Sequence, residues 1–333
     1  MTTTEHNEIE KRLAVCCEGI RTLKEQLGHV LVGLDDVVES SLIALTAGGH
    51  VLLEGVPGLG KTLLVRSLAE AVEGSFSRIQ FTPDLMPADV TGTNMLVPRD
   101  GTTNDFEFHR GPIFSNIVLA DEINRATPKT QAALLEAMQE HSVTVGGVTH
   151  RLDGMFSVFA TQNPLEMEGT YPLPEAQLDR FFCKLLIAFP QENELAEILR
   201  RTTTENQSRI DKTVSSELLL DLGNCARMVP VSDELLAAVV SVILASRPDD
   251  KNATAKVKKY VRYGASPRGA QSLMLGAKIR SLLNGRFNVT WDDICATAPM
   301  VLRHRIILNF EGHAEGITTD EIIEEIMTGT RHV

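Results

Sequence analysis

Two hydrophobic periods divide this chain. Up to about residue 190, short apolar runs alternate with stretches whose apolar residues recur at helical spacing. The runs at 50–54, 77–81, 116–120, 155–160 and 184–188 predict five strands. Helices are predicted at 8–27, where Ile9, Leu13, Ile20, Leu23 and Leu27 fall near one face, and at 35–47, 63–72 and 128–140. Strands alternating with helices make an α/β core, a five-stranded parallel sheet with helices on both faces. Two hairpins interrupt it. One pairs 94–97 with 105–108 across a long turn at 98–104; the other pairs 142–145 with 148–152 about Gly146-Gly147. The first falls inside a helix-bearing connection and reads as an insertion with a task. After Phe189-Pro190 the strand signal fades and helical periodicity runs on. The expected organisation is a core over 1–190 carrying two β-hairpin insertions and an all-helical part over 191–333.

One stretch adds chemistry to this pattern. Gly55-Val56-Pro57-Gly58-Leu59-Gly60-Lys61-Thr62 reads G-x-x-x-x-G-K-T between a predicted strand and a predicted helix, the phosphate-loop context. Its glycines let the backbone curl so that successive N–H groups point at phosphate oxygens. The helix that follows adds the positive end of its dipole. Lys61 places a charge on the β- and γ-phosphates of a nucleotide, and the Thr62 hydroxyl binds Mg²⁺. A plain glycine-rich turn is the competing reading, and the joint presence of strand, loop, Lys-Thr and helix disfavours it.

The run 117–120 ends in Asp121-Glu122, which delivers two carboxylates to the carboxyl edge of a parallel sheet, where the loop also lies. Asp121 would hold Mg²⁺, and Glu122 would polarise the attacking water. Asn163, in Thr161-Gln162-Asn163-Pro164 at the end of the fourth strand, could position that water or sense the γ-phosphate.

Bulk properties narrow the class. The chain has 333 residues, 43% hydrophobic and 23% charged, as expected of a globular protein with a full core. A net charge of −12 argues against a protein whose main work is to coat nucleic acid. Five cysteines, Cys16, Cys17, Cys183, Cys225 and Cys295, form no C-x-x-C pair and read as reduced thiols. The polar N-terminus shows no signal peptide and no apolar run reaches membrane-spanning length, so a cytoplasmic location is expected. The basic run Lys256, Lys258, Lys259 and Arg262 reads as a solvated face.

Taken in order, the phosphate loop, Asp121-Glu122-Ile123-Asn124-Arg125-Ala126, Thr161-Gln162-Asn163-Pro164 and the string from Gly169 through Pro172-Leu173-Pro174-Glu175-Ala176-Gln177-Leu178-Asp179-Arg180-Phe181 resemble the MoxR family of AAA+ ATPases. Tyr263-Gly264-Ala265-Ser266-Pro267-Arg268 and Val301-Leu302-Arg303-His304-Arg305 carry the likeness into the C-terminal part. The resemblance implies an AAA+ core with a helical lid, ATP hydrolysis with Mg²⁺, and a homo-oligomeric ring, a hexamer. It makes Arg180 an arginine finger reaching a neighbouring subunit's site, Arg268 a lid arginine touching the γ-phosphate from the same subunit, and Asn163 a γ-phosphate sensor. Val32-Gly33 would pack near the adenine, although Leu34 stands where related sequences often carry a polar residue. The two hairpins would face the central pore or a partner. Relatives act chaperone-like, assembling or activating a client protein alongside partners with a von Willebrand factor A domain. A DNA-acting AAA+ motor, a metal-chelatase motor subunit and a non-hydrolysing switch are the alternatives. The acidic balance argues against the first, and Glu122, Asn163 and Arg180 together against the last.

Overall fold

The computed structural model describes residues 3–98, 104–152, 154–164, 169–203, 210 and 214–330. The turn of the first hairpin at residues 99–103 and the side chains of Ile9, Leu13 and Cys16 lie outside them. In chain order the first half runs α1 (Thr3–Val30), α2 (Asp35–Thr46), β1 (Val51–Glu54), α3 (Lys61–Ala71), β2 (Phe76–Gln80), α4 (Pro87–Thr91), β3 (Gly92–Pro98), β4 (Asn104–Arg110), β5 (Ile117–Asp121), α5 (Pro128–Glu140), β6 (Ser142–Val145), β7 (Val148–Arg151), β8 (Ser157–Gln162), α6 (Glu175–Leu178) and β9 (Cys183–Leu186). The second half runs α7 (Glu192–Thr202), α8 (Ser216–Met228), α9 (Asp233–Ala245), α10 (Ala255–Tyr260), β10 (Val261–Tyr263), α11 (Pro267–Leu283), α12 (Trp291–Leu302), β11 (Ile307–Leu308), α13 (Phe310–Ala314) and α14 (Thr319–Thr330).

The central sheet has strand order β2-β5-β8-β1-β9, and every pairing within it is parallel. Alternation along each strand sends side chains to opposite faces. Val51 and Leu53 of β1 and Ile117 and Leu119 of β5 join one apolar cluster, while Leu52, Val118 and Ala120 join another. Both faces are covered, which is why these strands read as continuous apolar runs. The second cluster is closed by α5 through Leu134, Leu135 and Met138.

The first cluster does not stop at the sheet. It takes in Ile20, Leu23 and Leu27 of α1, Leu42 and Leu45 of α2, Leu219 and Leu222 of α8 and Leu273 and Ile279 of α11. Packed against α2, α3, α8 and α11, the first helix therefore ties the C-terminal helices to the core. Burying one such leucine contributes roughly 1.5–3 kcal/mol. The C-terminal helices begin at residues suited to their ends: Ser215, Ser232, Thr254 and Ser266 each accept a backbone N–H from the first turn. The part beyond residue 190 is not wholly helical. A small antiparallel pair, β10 with β11, interrupts it. Its strands are three and two residues long, too short to show a period in sequence.

The two hairpins lean on each other. Phe108 of β4 stacks on His150 of β7 with ring centres 4.0 Å apart, and Phe114 meets both edge-on. Leu96 and Phe106 face each other across β3 and β4 and are both exposed, Phe106 at 74%.

Candidate active site

Gly58 and Gly60 have φ of +87° and +79°, the left-handed region in which a residue with a Cβ is strained. With them the chain turns from β1 into α3 and leaves the helix N-terminus open. Lys61, the first residue of α3, curls back so that its ammonium donates to the Gly55 carbonyl at 2.6 Å and to the Val56 carbonyl at 2.8 Å. Burial lowers the Lys61 pKa, opposed by the nearby carboxylates of Asp121 and Glu122. A pocket of about 380 Å³ lies over the loop, lined by Gly58, Lys61, Thr62, Asp121, Glu122 and Asn163 among others. The sequence-derived phosphate, metal and water-handling residues thus share one cavity at the carboxyl edge of the sheet.

Strand register explains how the acids meet the rest. Ala120 of β5 pairs with Ala160 of β8, so Asp121 and Thr161 leave the sheet side by side. The Thr161 hydroxyl donates to Asp121 Oδ1 at 2.6 Å and accepts the Glu122 N–H at 2.8 Å. Asp121 Oδ2 accepts from Arg78 at 2.7 Å, and Glu122 Oε2 accepts from Gln80 at 2.9 Å and Arg125 at 2.8 Å. Glu122 itself has φ +56°, a strained conformation for a side chain of this size. Thr161 holds that geometry through the hydrogen bond to the Glu122 amide. Arg78, Gln80, Arg125 and Thr161 have no role in the sequence reading. Arg78 and Gln80 belong to β2, and only the pairing of Gln80 with Asp121 reveals that both end at the pocket.

Arg180 and Arg268 do not line this pocket. They open together onto a second recess of about 300 Å³, bordered by Gly48, Gly49 and His50, which precede β1, and by Asp179 and Phe182, which precede β9. Those residues mark the amino edge of the sheet, whereas the phosphate loop marks the carboxyl edge. β1 alone separates the two edges by about 13 Å at ~3.3 Å per residue. Arg268 lines this recess and not the phosphate pocket of its own chain, because α11 starts at the opposite edge. Arg180 is half-buried and donates to the Leu135 carbonyl of α5 at 2.8 Å.

The segment carrying Arg180 is fastened to the C-terminal part. Arg305, 6% exposed, donates to Asp179 Oδ1 at 2.9 Å and to the carbonyls of Phe181 at 2.7 Å and Phe182 at 3.1 Å. His304 meets the Phe181 carbonyl at 3.1 Å, and Arg303 pairs with Asp320 at 2.9 Å. The Arg303-His304-Arg305 string thus orders the C-terminal helices against the core. Within the basic run, Lys256 pairs with Glu325 and Lys259 with Glu311 and Glu315 at the surface. Val32 and Gly33 lie in the turn between α1 and α2, with Gly33 against the carboxylate of Glu194 in α7. Among the described residues Cys17, Cys183, Cys225 and Cys295 carry reduced thiols, and burial pushes Cys183 up to about 12. No single helix among the described residues is long and apolar enough to cross a membrane.

Residues 50–183 match the family described as ATPase family associated with various cellular activities (AAA), and residues 253–326 match the AAA lid domain. The uncharacterized protein YeaC of Bacillus subtilis is 45% identical over 308 residues, 92% of each chain. The chaperone MoxR1 of Mycobacterium tuberculosis is 43% identical over 303 residues, 91% of this chain and 79% of that one. The crystal structure of a candidate ATPase from Cytophaga hutchinsonii superposes with a TM-score of 0.90 at 42% identity, covering 98% of both chains.

Proposed function

This chain belongs to the MoxR family of AAA+ ATPases, and we propose that it binds ATP and Mg²⁺ where two copies of itself meet and uses hydrolysis to remodel or assemble a client protein. One observation carries the reading. The phosphate pocket and the recess that Arg180 and Arg268 line lie at opposite edges of one sheet, which favours action of both arginines on a neighbour's pocket. Stacking copies head to tail sets the amino edge of one against the carboxyl edge of the next. A heterologous contact of this kind generates a ring when its rotation closes. In the hexamer we propose, both arginines are delivered by the neighbour.

Within the pocket the division of labour follows from the contacts. The loop amides and Lys61 hold the β- and γ-phosphates once Lys61 leaves the Gly55 and Val56 carbonyls. Thr62 and Asp121 supply hard oxygen donors of the kind Mg²⁺ takes, and Mg²⁺ when bound offsets charge on the phosphate oxygens. Glu122 orients the attacking water, and Asn163, which is 8% exposed beyond the end of β8 and lines the same pocket, serves as the γ-phosphate sensor. Arg180 and Arg268 of the neighbour stabilise charge on the transferred phosphoryl group. By the family resemblance, Val32 and Gly33 contact the base.

The chaperone name of the Mycobacterium tuberculosis relative supports the client-remodelling role. A partner with a von Willebrand factor A domain and a cytoplasmic location complete the proposal. The hairpins, with Leu96 and Phe106 exposed, are its contact surface for client or partner.

Mixing Lys61→Ala subunits with Arg180→Ala subunits tests the shared site. Each variant alone is expected to lose turnover, and the mixture to regain part of it at interfaces pairing an intact pocket with an intact finger. No recovery in a mixture shown to co-assemble would overturn the reading.

A further inference from the structure

Arg180 and Arg268 belong to different parts of the protomer, the first to the connection between α6 and β9 and the second to the first turn of α11. One carboxylate joins them. Asp179 Oδ1 accepts from Arg305 Nε at 2.9 Å and from Ser266 Oγ at 3.0 Å, and Asp179 Oδ2 lies 2.9 Å from the same hydroxyl. Ser266 is the N-cap of α11, and its oxygen in turn accepts the Arg268 N–H at 3.1 Å. The path from one arginine to the other is therefore short and continuous: Arg180 backbone, Asp179 carboxylate, Ser266 hydroxyl, Arg268 backbone.

Behind the bridge sits a buried cation. Arg305 has a side chain 2% exposed, and its guanidinium also meets the carbonyls of Val301, Phe181 and Phe182. Its donors fix the backbone of 179–182, the stretch bearing Arg180, against the end of α12. Asp179 is thus both the counter-ion of Arg305 and the acceptor for the cap of α11.

We propose that the Asp179–Ser266 bridge is a positioning device that sets Arg180 and Arg268 in register, so that they engage a neighbour's phosphate as one unit. This rests on the reading that both arginines act on the adjacent subunit. A finger and a lid arginine placed independently would each have to find the phosphoryl group separately. A linked pair loses less freedom on engagement, and a small misplacement of such groups is costly to a rate.

The test separates the bridge from the cap. Ser266→Asp keeps an acceptor for the Arg268 N–H, but it has no proton to give Asp179 and sets a second carboxylate against it. Ser266→Thr keeps donor and acceptor. In the full-length assembly, Ser266→Asp is expected to lower turnover at saturating ATP about tenfold, within the range of coupling effects, with KM for ATP and the thermal midpoint near those of the parent. Ser266→Thr is expected to recover the rate. In a background already carrying Arg180→Ala and Arg268→Ala, Ser266→Asp should have no further effect, because the groups it aligns are gone. Unchanged turnover in Ser266→Asp, or the same fold-loss with and without the arginines, would overturn the proposal. Asp179→Asn serves as the second variant: it should lose turnover in the same arginine-dependent way, and an arginine-independent loss would count against the bridge. Failure of the underlying reading looks different. It appears as full turnover in Arg180→Ala itself, before Ser266 is touched.

Discussion

Glu122 and Arg125 form an ion pair, carboxylate to guanidinium at 2.8 Å, within a single turn that follows β5. The same carboxylate oxygen accepts the Gln80 amide. The carboxylate proposed to activate water is thus held by two donors, one from the neighbouring strand and one from its own loop. Replacing it with an isosteric amide leaves the shape of the pocket and removes the base. Glu122→Gln is expected to bind ATP within about threefold of the parent while turnover falls by about a hundredfold or more. Nucleotide titration and phosphate release, measured on the same preparation, check both halves. Sustained release would take Glu122 out of this role.

Lys61 bonds to two loop carbonyls and is drawn toward Asp121 and Glu122. In Lys61→Ala both carbonyls lose their donor and the phosphates lose a charge-assisted contact. Such contacts contribute about 1.5–3 kcal/mol, so ATP affinity should fall by about ten- to a hundredfold. Titration with a fluorescent ATP analogue measures it, and an unchanged Kd would remove the loop from phosphate binding.

His50 supplies a pH dependence of stability. Its Nδ1 accepts the Val158 N–H at 3.1 Å, so Nε2 carries the proton and donates to the Met138 carbonyl at 3.1 Å. Burial lowers its pKa to about 4, opposed by the Met138 carbonyl and assisted by His141. The unfolded chain therefore binds a proton that the folded chain excludes between about pH 6.5 and 4. Stability is fully present above pH 6.5 and is lost as the pH falls through that window, by about 3 kcal/mol from this residue. Buried His304 is shifted in the same direction. Urea midpoints across the window should drop with acid, and His50→Gln, which keeps a donor and an acceptor, should flatten the slope. A slope unchanged in His50→Gln would mean that other groups carry it.

Gly223 of α8 packs directly on α2: a Cβ there would lie 2.2 Å from the Thr46 carbonyl oxygen. Gly223→Ala must push the helices apart, at about 1–3 kcal/mol. Its urea midpoint should fall while nucleotide affinity per folded molecule stays the same. A neutral effect would mean that the contact between α2 and α8 gives way freely.

Much of this arrangement is legible in the residues. Strand–loop–helix context and the spacing of Gly55, Lys61 and Thr62 mark the loop, and the apolar run ending in Asp121-Glu122 marks the acids that share its pocket, because each is a local pattern tied to local geometry. Both hairpins are visible through alternation and, in the second, through Gly146-Gly147. Relations that depend on register are not. Arg78 and Gln80 read as ordinary polar strand residues until β2 is laid beside β5. Arg268 illustrates the same limit. Its sequence neighbourhood gives the N-cap Ser266 and Pro267 at the start of a helix, but which edge of the sheet that helix begins at is set by packing of α11 against α1, α2 and α12. Asp179 stands beside Arg180 in sequence but neutralises Arg305, 126 residues further along the chain.

Because cradle and guanidinium groups occupy opposite rims, each protomer is a directional tile with unlike ends. On the proposed reading, a row of such tiles always leaves one cradle unserved, and a lone tile leaves its own. Only closure gives every copy a full complement. Hydrolysis per chain should then climb cooperatively with protein concentration and level off once the circles are complete, which would make dilution alone an off-switch.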